Sequence, residues 1–141
     1  MDDPFNLQRF VDAQDPLYAQ VCDELRDGRK RSHWMWFVFP QIQGLGTSAM
    51  AQRFAISSLA EADAYLGHPV LGERLRQSTQ YVNDVEGSSI EDIFGYPDYL
   101  KFHSSMTLFE RAAVDKAPFA EALRKYFHGQ GDPLTLERLQ Q

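Results

Sequence analysis

Apolar residues recur at intervals of three and four along most of this chain, between short polar stretches that contain proline or glycine. The longest periodic segment lies between His68-Pro69 and Gly87, and its polar face carries glutamate, arginine and glutamine. This spacing places side chains on one face of an α-helix. Each segment of this kind therefore predicts a helix with one buried face.

Proline and glycine mark where these helices should begin and end. Asp-Pro pairs at 3–4, 15–16 and 132–133 each place a capping carboxylate before a proline, which is tolerated at the first helical position. Further starts are predicted at prolines 69, 97 and 118, and further ends at glycines 28, 87 and 129. The first two helices, which lie on either side of 15–16, are expected to pack as a hairpin.

Two capping boxes are predicted, each from a serine followed three residues later by glutamate: Ser58 with Glu61, and Ser88 with Glu91. No pair of β-branched runs flanks a hairpin turn, and the chain has no glycine-rich phosphate fingerprint of the Rossmann or P-loop type. We therefore predict an all-α, multihelical fold. It should be a single domain over 1–141, a bundle of about seven to nine helices.

The apolar segment 34–39 is the one ambiguous element. Its aromatic and β-branched residues suit either a short helix or a buried strand. Pro40 disfavours the α conformation at Phe39, so a helix here would have to end early.

Composition limits the classes of partner and compartment. Twenty acidic and fourteen basic side chains give a formal charge of −6, so nucleic acid is not the expected partner. Cys22 is the only cysteine; no intramolecular disulfide can form, and its apolar helical stripe predicts a buried thiol. No apolar run approaches the ~20 residues of a membrane helix, and the acidic N-terminus does not resemble a secretory signal. We expect a soluble, cytoplasmic protein without membrane contact.

The richest candidate for chemistry is the stretch RKRSHWMWFVFPQ, which combines three cations, a histidine and both tryptophans. Arg31 and Ser32 could hold a phosphate or carboxylate, and His33 could carry a proton. An indole of Trp34 or Trp36 could stack on a base or sugar. The alternative is a cationic helix end that leads into core tryptophans. Residues two apart on a helix diverge by about 200°, so one tryptophan should be core and the other can face a cleft.

The loop that follows Pro40 is a second candidate. Gly44 lets the backbone approach a ligand closely, and Gln41 could recognise an amide or hydroxyl edge. A plain turn needs the same glycine.

A third candidate lies on the helix predicted to begin at Pro97. Asp98, Lys101 and Ser105 fall on one face of that helix, with Ser104 beside them. They could form the polar wall of a pocket. They could equally be a surface ion pair and a serine bonded to its own helix.

We predict that the segment 31–41 and the helix 98–105 meet across one pocket. Their serines and Gln41 adjoin strongly apolar residues, so these polar groups need partners near the interior. The catalytic candidates are His33, Asp98 and Lys101. The ligand-binding candidates are Arg31, Ser32, His33, Trp34, Trp36, Gln41, Gly44, Lys101, Ser104 and Ser105.

The four histidines give no metal-binding pattern. No two of them are spaced i, i+4, no His-Glu-x-x-His motif occurs, and the single cysteine has no partner. We predict no metal and no cofactor.

Three motifs cover much of the chain: Asp3-Pro-Phe-x-Leu-x-Arg-Phe-Val-x-Ala-Gln14, Lys30-Arg-Ser-His-Trp-Met-Trp-Phe-x-Phe-Pro-Gln41 and Ser104-Ser-Met-Thr-Leu-Phe109. With them the chain resembles an uncharacterised bacterial family, number eighteen-ten among the domains of unknown function, sometimes labelled calpastatin. The resemblance implies a multihelical domain. It implies almost nothing about function, because the family has no established activity. The calpastatin label finds no support in a chain this rich in aromatic residues and helix stops.

The helical layout and the Trp-aromatic, His-Pro-x-Leu and Asp-x-x-Lys landmarks also resemble the NADAR superfamily, whose members process ADP-ribose-linked compounds. That resemblance implies hydrolysis of an N-glycosidic bond at a ribose, and no catalytic residue is carried over from it. We expect a small-molecule-binding protein or an enzyme whose ligand is small and anionic, phosphorylated or nucleotide-like. The alternative is a non-catalytic module that binds nucleic acid or a protein through the segment 29–39. No oligomeric state is predicted.

Overall fold

The computed structural model describes residues 2–140, within which ten helices follow one another along the chain. They are α1 (Gln8–Gln14), α2 (Tyr18–Arg26), α3 (Met35–Val38), α4 (Ala49–Arg53), α5 (Leu59–Gly67), α6 (Leu71–Asp84), α7 (Ile90–Phe94), α8 (Asp98–Ala112), α9 (Ala117–Phe127) and α10 (Pro133–Leu139). The all-α prediction is confirmed. The count of ten is slightly above the predicted seven to nine.

Helix α8 lies at the centre of the molecule, where it packs against α5, α7, α9 and α10. Helix α6 packs against α2, α5 and α9, so α5, α6, α9 and α8 form a ring of four helices. Phe102, Met106 and Phe109 are spaced to share one face of α8, and all three are fully buried. The burial of this face holds the start of α8 in a defined position relative to its neighbours.

The ambiguous segment before Pro40 is helical. Helix α3 ends at Val38, and Phe39 leaves the α conformation directly before the proline, as the sequence required. The Phe39 ring then packs edge-on against Phe94 and Phe102, at centroid distances of 5.8 and 5.1 Å. No β-strand forms anywhere in residues 2–140.

Two predicted helix caps are present. The Ser58 hydroxyl accepts from the Glu61 N–H at 3.1 Å, and the Asp132 carboxylate accepts from the Thr135 N–H at 3.0 Å. Only half of the predicted Ser58 capping box forms, because the Glu61 carboxylate accepts from the Ser57 N–H at 2.9 Å instead of that of Ser58. His68 Nδ1 accepts from backbone N–H groups in the first turn of α6. These local bonds satisfy donors that a helix start leaves without partners.

The second capping box was predicted one residue too early. Ser89, rather than Ser88, accepts from the Asp92 N–H at 3.1 Å, and the Asp92 carboxylate accepts from the Ser89 N–H at 3.3 Å. Glu91 is exposed and takes no part in the box. This register makes Ile90, which is buried, the first residue of α7. Burial of an apolar face therefore decided between two serines with similar capping potential.

The predicted hairpin of the first two helices is wrong. Helix α1 packs on α3, and the Gln14 amide of α1 donates to the Phe37 carbonyl at 2.6 Å. Helix α2 packs on α6 instead. Asp15 does not cap α2, because its carboxylate pairs with Arg74 of α6 at 2.9 Å.

Cys22 is a buried free thiol, as its apolar stripe predicted. Among the helices of residues 2–140, none is both long enough and apolar enough to cross a membrane.

Candidate functional site

The first half of the basic and aromatic segment is organised around one buried carboxylate, that of Glu24 on α2, which is 3% exposed. Its Oε1 accepts from the Arg31 N–H at 2.7 Å, the Ser32 N–H at 3.0 Å and the Trp34 indole N–H at 3.0 Å. Its Oε2 accepts from the Ser32 hydroxyl at 2.6 Å and the Gln20 amide at 3.0 Å. Five donors thus compensate the burial of one negative charge.

These bonds give Ser32 and Trp34 a structural role. Burial alone would raise the pKa of the Glu24 carboxyl, but the hydrogen bonds from Ser32, the Arg31 N–H, Gln20 and Trp34 together lower that pKa to about 2. Glu24 is therefore an anion at neutral pH that holds this segment onto α2.

Arg31 and His33 lie on the exposed side of the same segment. The Arg31 guanidinium pairs with Asp27 at 3.1 Å, and both side chains are more than half exposed. Within residues 2–140, His33 makes no side-chain hydrogen bond and lines none of the clefts described below. Their predicted roles stay predictions, without support from this geometry.

The two tryptophans differ in environment. Trp34 is only 1% exposed, whereas Trp36 is half-buried. The Lys30 ammonium lies 5.2 Å from the Trp34 ring centroid, and the Lys101 ammonium lies 5.3 Å from the Trp36 ring centroid. In this conformation a base cannot stack on Trp34, since its ring lies in the core.

Lys30, Asp98 and Lys101 form a charged cluster where this segment meets α8. The Asp98 carboxylate lies 2.8 Å from the Lys30 ammonium and 3.6 Å from that of Lys101. The Lys30 side chain is 8% exposed and that of Lys101 is 24% exposed. Two ammonium groups share one carboxylate, so the cluster carries a formal charge of +1 on a protein whose net charge is −6.

The loop 41–46 is anchored at its start by a pair of backbone hydrogen bonds to the chain around Ile56. The Ile56 N–H donates to the Gln41 carbonyl and the Gln43 N–H donates to the Ile56 carbonyl, each at 2.8 Å. Gly44 then turns the chain with a φ of +94°, a conformation that other residues rarely adopt. The loop is thereby held beside α8 and α10.

A cleft of about 290 Å³ lies between this loop, α8 and α10. Gln41, Lys101, Ser104 and Asp132 supply its polar groups. The Ser104 hydroxyl lies 3.1 Å from both the Leu100 carbonyl and the Asp132 carboxylate. The apolar lining residues are Leu45, Pro97, Leu100 and Leu134.

The two predicted segments therefore meet, but through only some of the predicted residues. Gln41 of the first faces Lys101 and Ser104 of the second across the cleft. Ser105 points into the core instead, where its hydroxyl has no hydrogen-bond partner among residues 2–140. Gly44 does not line this cleft but lines two neighbouring ones.

Sequence reasoning missed Glu24 and the part that α10 plays. Glu24 lies on the helical stripe of Val21 and Leu25, so a charged residue on an apolar face was the available signal. Asp132 was identified only as a cap, and nothing local to it indicates that α10 packs against α8. Within residues 2–140, no three His, Cys, Asp or Glu side chains are grouped so that they could hold a metal.

A family model described as "Protein of unknown function (DUF1810)" matches residues 4–139. The chain belongs to this family. It is 57% identical to the conserved hypothetical protein Rv1873 from Mycobacterium tuberculosis, whose crystal structure superposes with a TM-score of 0.97 over 99% of each chain. No curated protein matches the chain significantly.

Proposed function

We propose that this member of the family binds a small anionic, nucleotide-like ligand in the cleft between the loop 41–46, α8 and α10. The observation that carries the proposal is the convergence of Gln41, Lys101 and Ser104 on one cleft from distant parts of the sequence. A concave site with a few convergent polar groups and an apolar wall is typical of small-ligand pockets.

Lys101 is the cation that would contact the ligand. Lys30 is nearly buried and lies close to Asp98, whereas Lys101 is more exposed and 0.8 Å farther from the same carboxylate (3.6 against 2.8 Å). Asp98 therefore compensates the charge of Lys30 more fully than it compensates the charge of Lys101. A ligand phosphate or carboxylate could take up the remaining positive charge.

The other wall of the cleft suits the apolar part of such a ligand. Leu100 is 44% exposed and Leu134 is 61% exposed, and both line the cleft. A ribose or base placed between them would cover apolar surface that is otherwise in contact with water. Gln41 could then donate to or accept from a polar edge of the base.

If the protein is an enzyme, hydrolysis of an N-glycosidic bond at a ribose is the reaction we propose. The oxocarbenium-like transition state of glycoside hydrolysis needs a nearby carboxylate. Asp132 already accepts from Ser104 and twice from Thr135. Asp98 does not line the cleft itself, but it lies beside Lys101, which does, and its partners among residues 2–140 are the two lysines alone. We therefore propose Asp98 as the catalytic carboxylate.

Calorimetric titration with AMP and ADP-ribose tests the binding proposal. Lys101→Ala should weaken binding by about tenfold or more, because it removes a charge-assisted contact worth about 1.5–3 kcal/mol. Arg111→Ala is the matched control, since it removes an exposed cation from the other end of α8. Equal affinities of the wild type and Lys101→Ala for both ligands would exclude this cleft as the anion site.

The catalytic part has its own test. The wild type is incubated with NAD and ADP-ribosylated nucleophiles, and free ribose-containing products are measured by mass spectrometry. Asp98→Asn should abolish any release while binding persists, because the amide cannot stabilise a developing positive charge. If ribose-containing products are still released by Asp98→Asn, Asp98 is not the catalytic carboxylate.

A further inference from the structure

The cleft at Lys101 is one end of a longer groove that follows α10. Asp132 and Leu134 line the 290 Å³ cleft, and Leu134 and Arg138 line the next one, of about 350 Å³. Arg138 also lines two further clefts, of about 500 and 440 Å³, on the other side of the loop 41–46. One helix and one loop thus form the shared walls of four adjoining clefts.

Among the described residues, Arg138 has no acidic partner nearby, and it lines three of the clefts. No carboxylate of residues 2–140 lies within 4 Å of its nitrogens, and its one side-chain hydrogen bond goes to the Gly44 carbonyl at 3.3 Å. The guanidinium lies against Gly44 so closely that a Cβ there would be 2.6 Å from Cζ. The arginine therefore retains donors that can bind an anion.

The polar groups around Arg138 suit an oxyanion. Gln43 lines both of the larger clefts beside it, together with Gln52 in one and Ser57 and Ser58 in the other. Glu137 lines the cleft of about 350 Å³, together with Leu45 and Leu134. The Gln52 amide already donates to the Thr47 carbonyl and the Ser57 hydroxyl to the Glu61 carboxylate. The Gln43 amide and the Ser58 hydroxyl are therefore the groups beside Arg138 that can donate to phosphate oxygens.

We propose that Arg138 is a second anion-binding residue of the same groove, so that the ligand is elongated and carries two separate anionic groups. This inference rests on the proposed function for the Lys101 end. Leu134 lines the Lys101 cleft and precedes Arg138 by about 6 Å along the axis of α10, at the α-helical rise of 1.5 Å per residue. A mononucleotide carries one anionic group, whereas ADP-ribose 2′-phosphate carries a diphosphate and a separate phosphate on the adenosine ribose.

The test compares ADP-ribose with ADP-ribose 2′-phosphate, which differ by one terminal phosphate, by calorimetric titration of the full chain. The wild type should bind the 2′-phosphate at least about tenfold more tightly, which corresponds to about 1.4 kcal/mol. Arg138→Ala should abolish that preference, and Arg138→Lys should retain part of it because the charge is kept. Arg124→Ala, an exposed arginine of α9, is the control and should change nothing.

The two proposals fail in different ways. Lys101→Ala should weaken both ligands by the same factor and leave the preference for the 2′-phosphate intact. If Lys101→Ala has no effect while Arg138→Ala abolishes the preference, the Lys101 site is wrong and the Arg138 site stands. Equal wild-type affinities for the two ligands, equal losses in Arg138→Ala, or no binding of either ligand would overturn the assignment of Arg138.

Discussion

Replacement of Glu24 by glutamine would test how the basic and aromatic segment is held in place. The glutamine oxygen can still accept from the Arg31, Ser32 and Trp34 N–H groups that now bind Oε1. Its NH₂ group, however, would face the Ser32 hydroxyl and the Gln20 amide, which both donate to Oε2 in the wild type. Glu24→Gln therefore removes the negative charge and takes the acceptor from two donors in a buried place.

The pKa of Glu24 sets the size of the expected effect. A carboxyl whose pKa falls from its ordinary value of 4.5 to about 2 on folding stabilises the folded state by about 3 kcal/mol, because each pKa unit corresponds to about 1.36 kcal/mol. Since the folded-state pKa is the lower one, this contribution is complete above about pH 4.5. It is lost as the pH falls toward 2.

Urea unfolding monitored by tryptophan fluorescence measures this contribution directly. At neutral pH, Glu24→Gln should lower the free energy of unfolding by about 3 kcal/mol. The difference from the wild type should shrink as the pH is lowered from about 5 toward 2, since the wild-type carboxyl becomes protonated. Other carboxyls titrate in both proteins and cancel in the difference. Glu86→Gln, in an exposed loop, should change stability by less than about 0.5 kcal/mol.

Two results would refute this reasoning. A loss below about 1 kcal/mol at neutral pH would mean that the free energy gained from the five hydrogen bonds is only slightly larger than the free energy cost of burying the charge. A large loss that does not change with pH would mean that packing around Glu24, and not its charge, holds the segment.

Two further predictions concern stability. Trp34→Ala should lower the free energy of unfolding by about 3–5 kcal/mol, as for a fully buried aromatic residue. Trp36→Ala should lower it clearly less, because the Trp36 ring is half-buried. Equal losses of stability in urea unfolding would contradict this difference in environment. Ser89→Ala should lower the free energy of unfolding by about 1 kcal/mol and Ser88→Ala by almost nothing, because only Ser89 accepts a hydrogen bond from the first turn of α7. If thermal unfolding shows Ser88→Ala to be the less stable variant, the capping register is wrong.

Much of the helical architecture followed from local rules. Ser58 and Asp132 cap helices where the sequence predicted, and Pro40 ends α3 as its ring requires. Such features depend on residues within four positions of one another, so a single sequence contains the information. The error at Ser89 has the same origin, because two adjacent serines offer similar local bonds.

Pairing between distant elements could not be obtained in this way. The sequence indicated that Ser32, Gln41, Ser104 and Ser105 need partners near the interior, but several partners satisfy that need equally well. In the folded chain Ser32 binds Glu24, and Ser104 lies against Asp132. Each partner comes from a helix whose place depends on which apolar faces pack together.

The sequence by itself determined that the chain folds into packed helices and that a cationic and aromatic segment runs from surface to core. That this segment meets the start of α8 was only a prediction until the fold was known. Tertiary structure decided which of those residues share the cleft. Lys101 and Ser104 reach it with Gln41, while Arg31 is exposed and Ser105 is buried in the core. The physical reason is that helical spacing fixes the face on which a side chain lies, whereas the packing of the whole core fixes what that face meets.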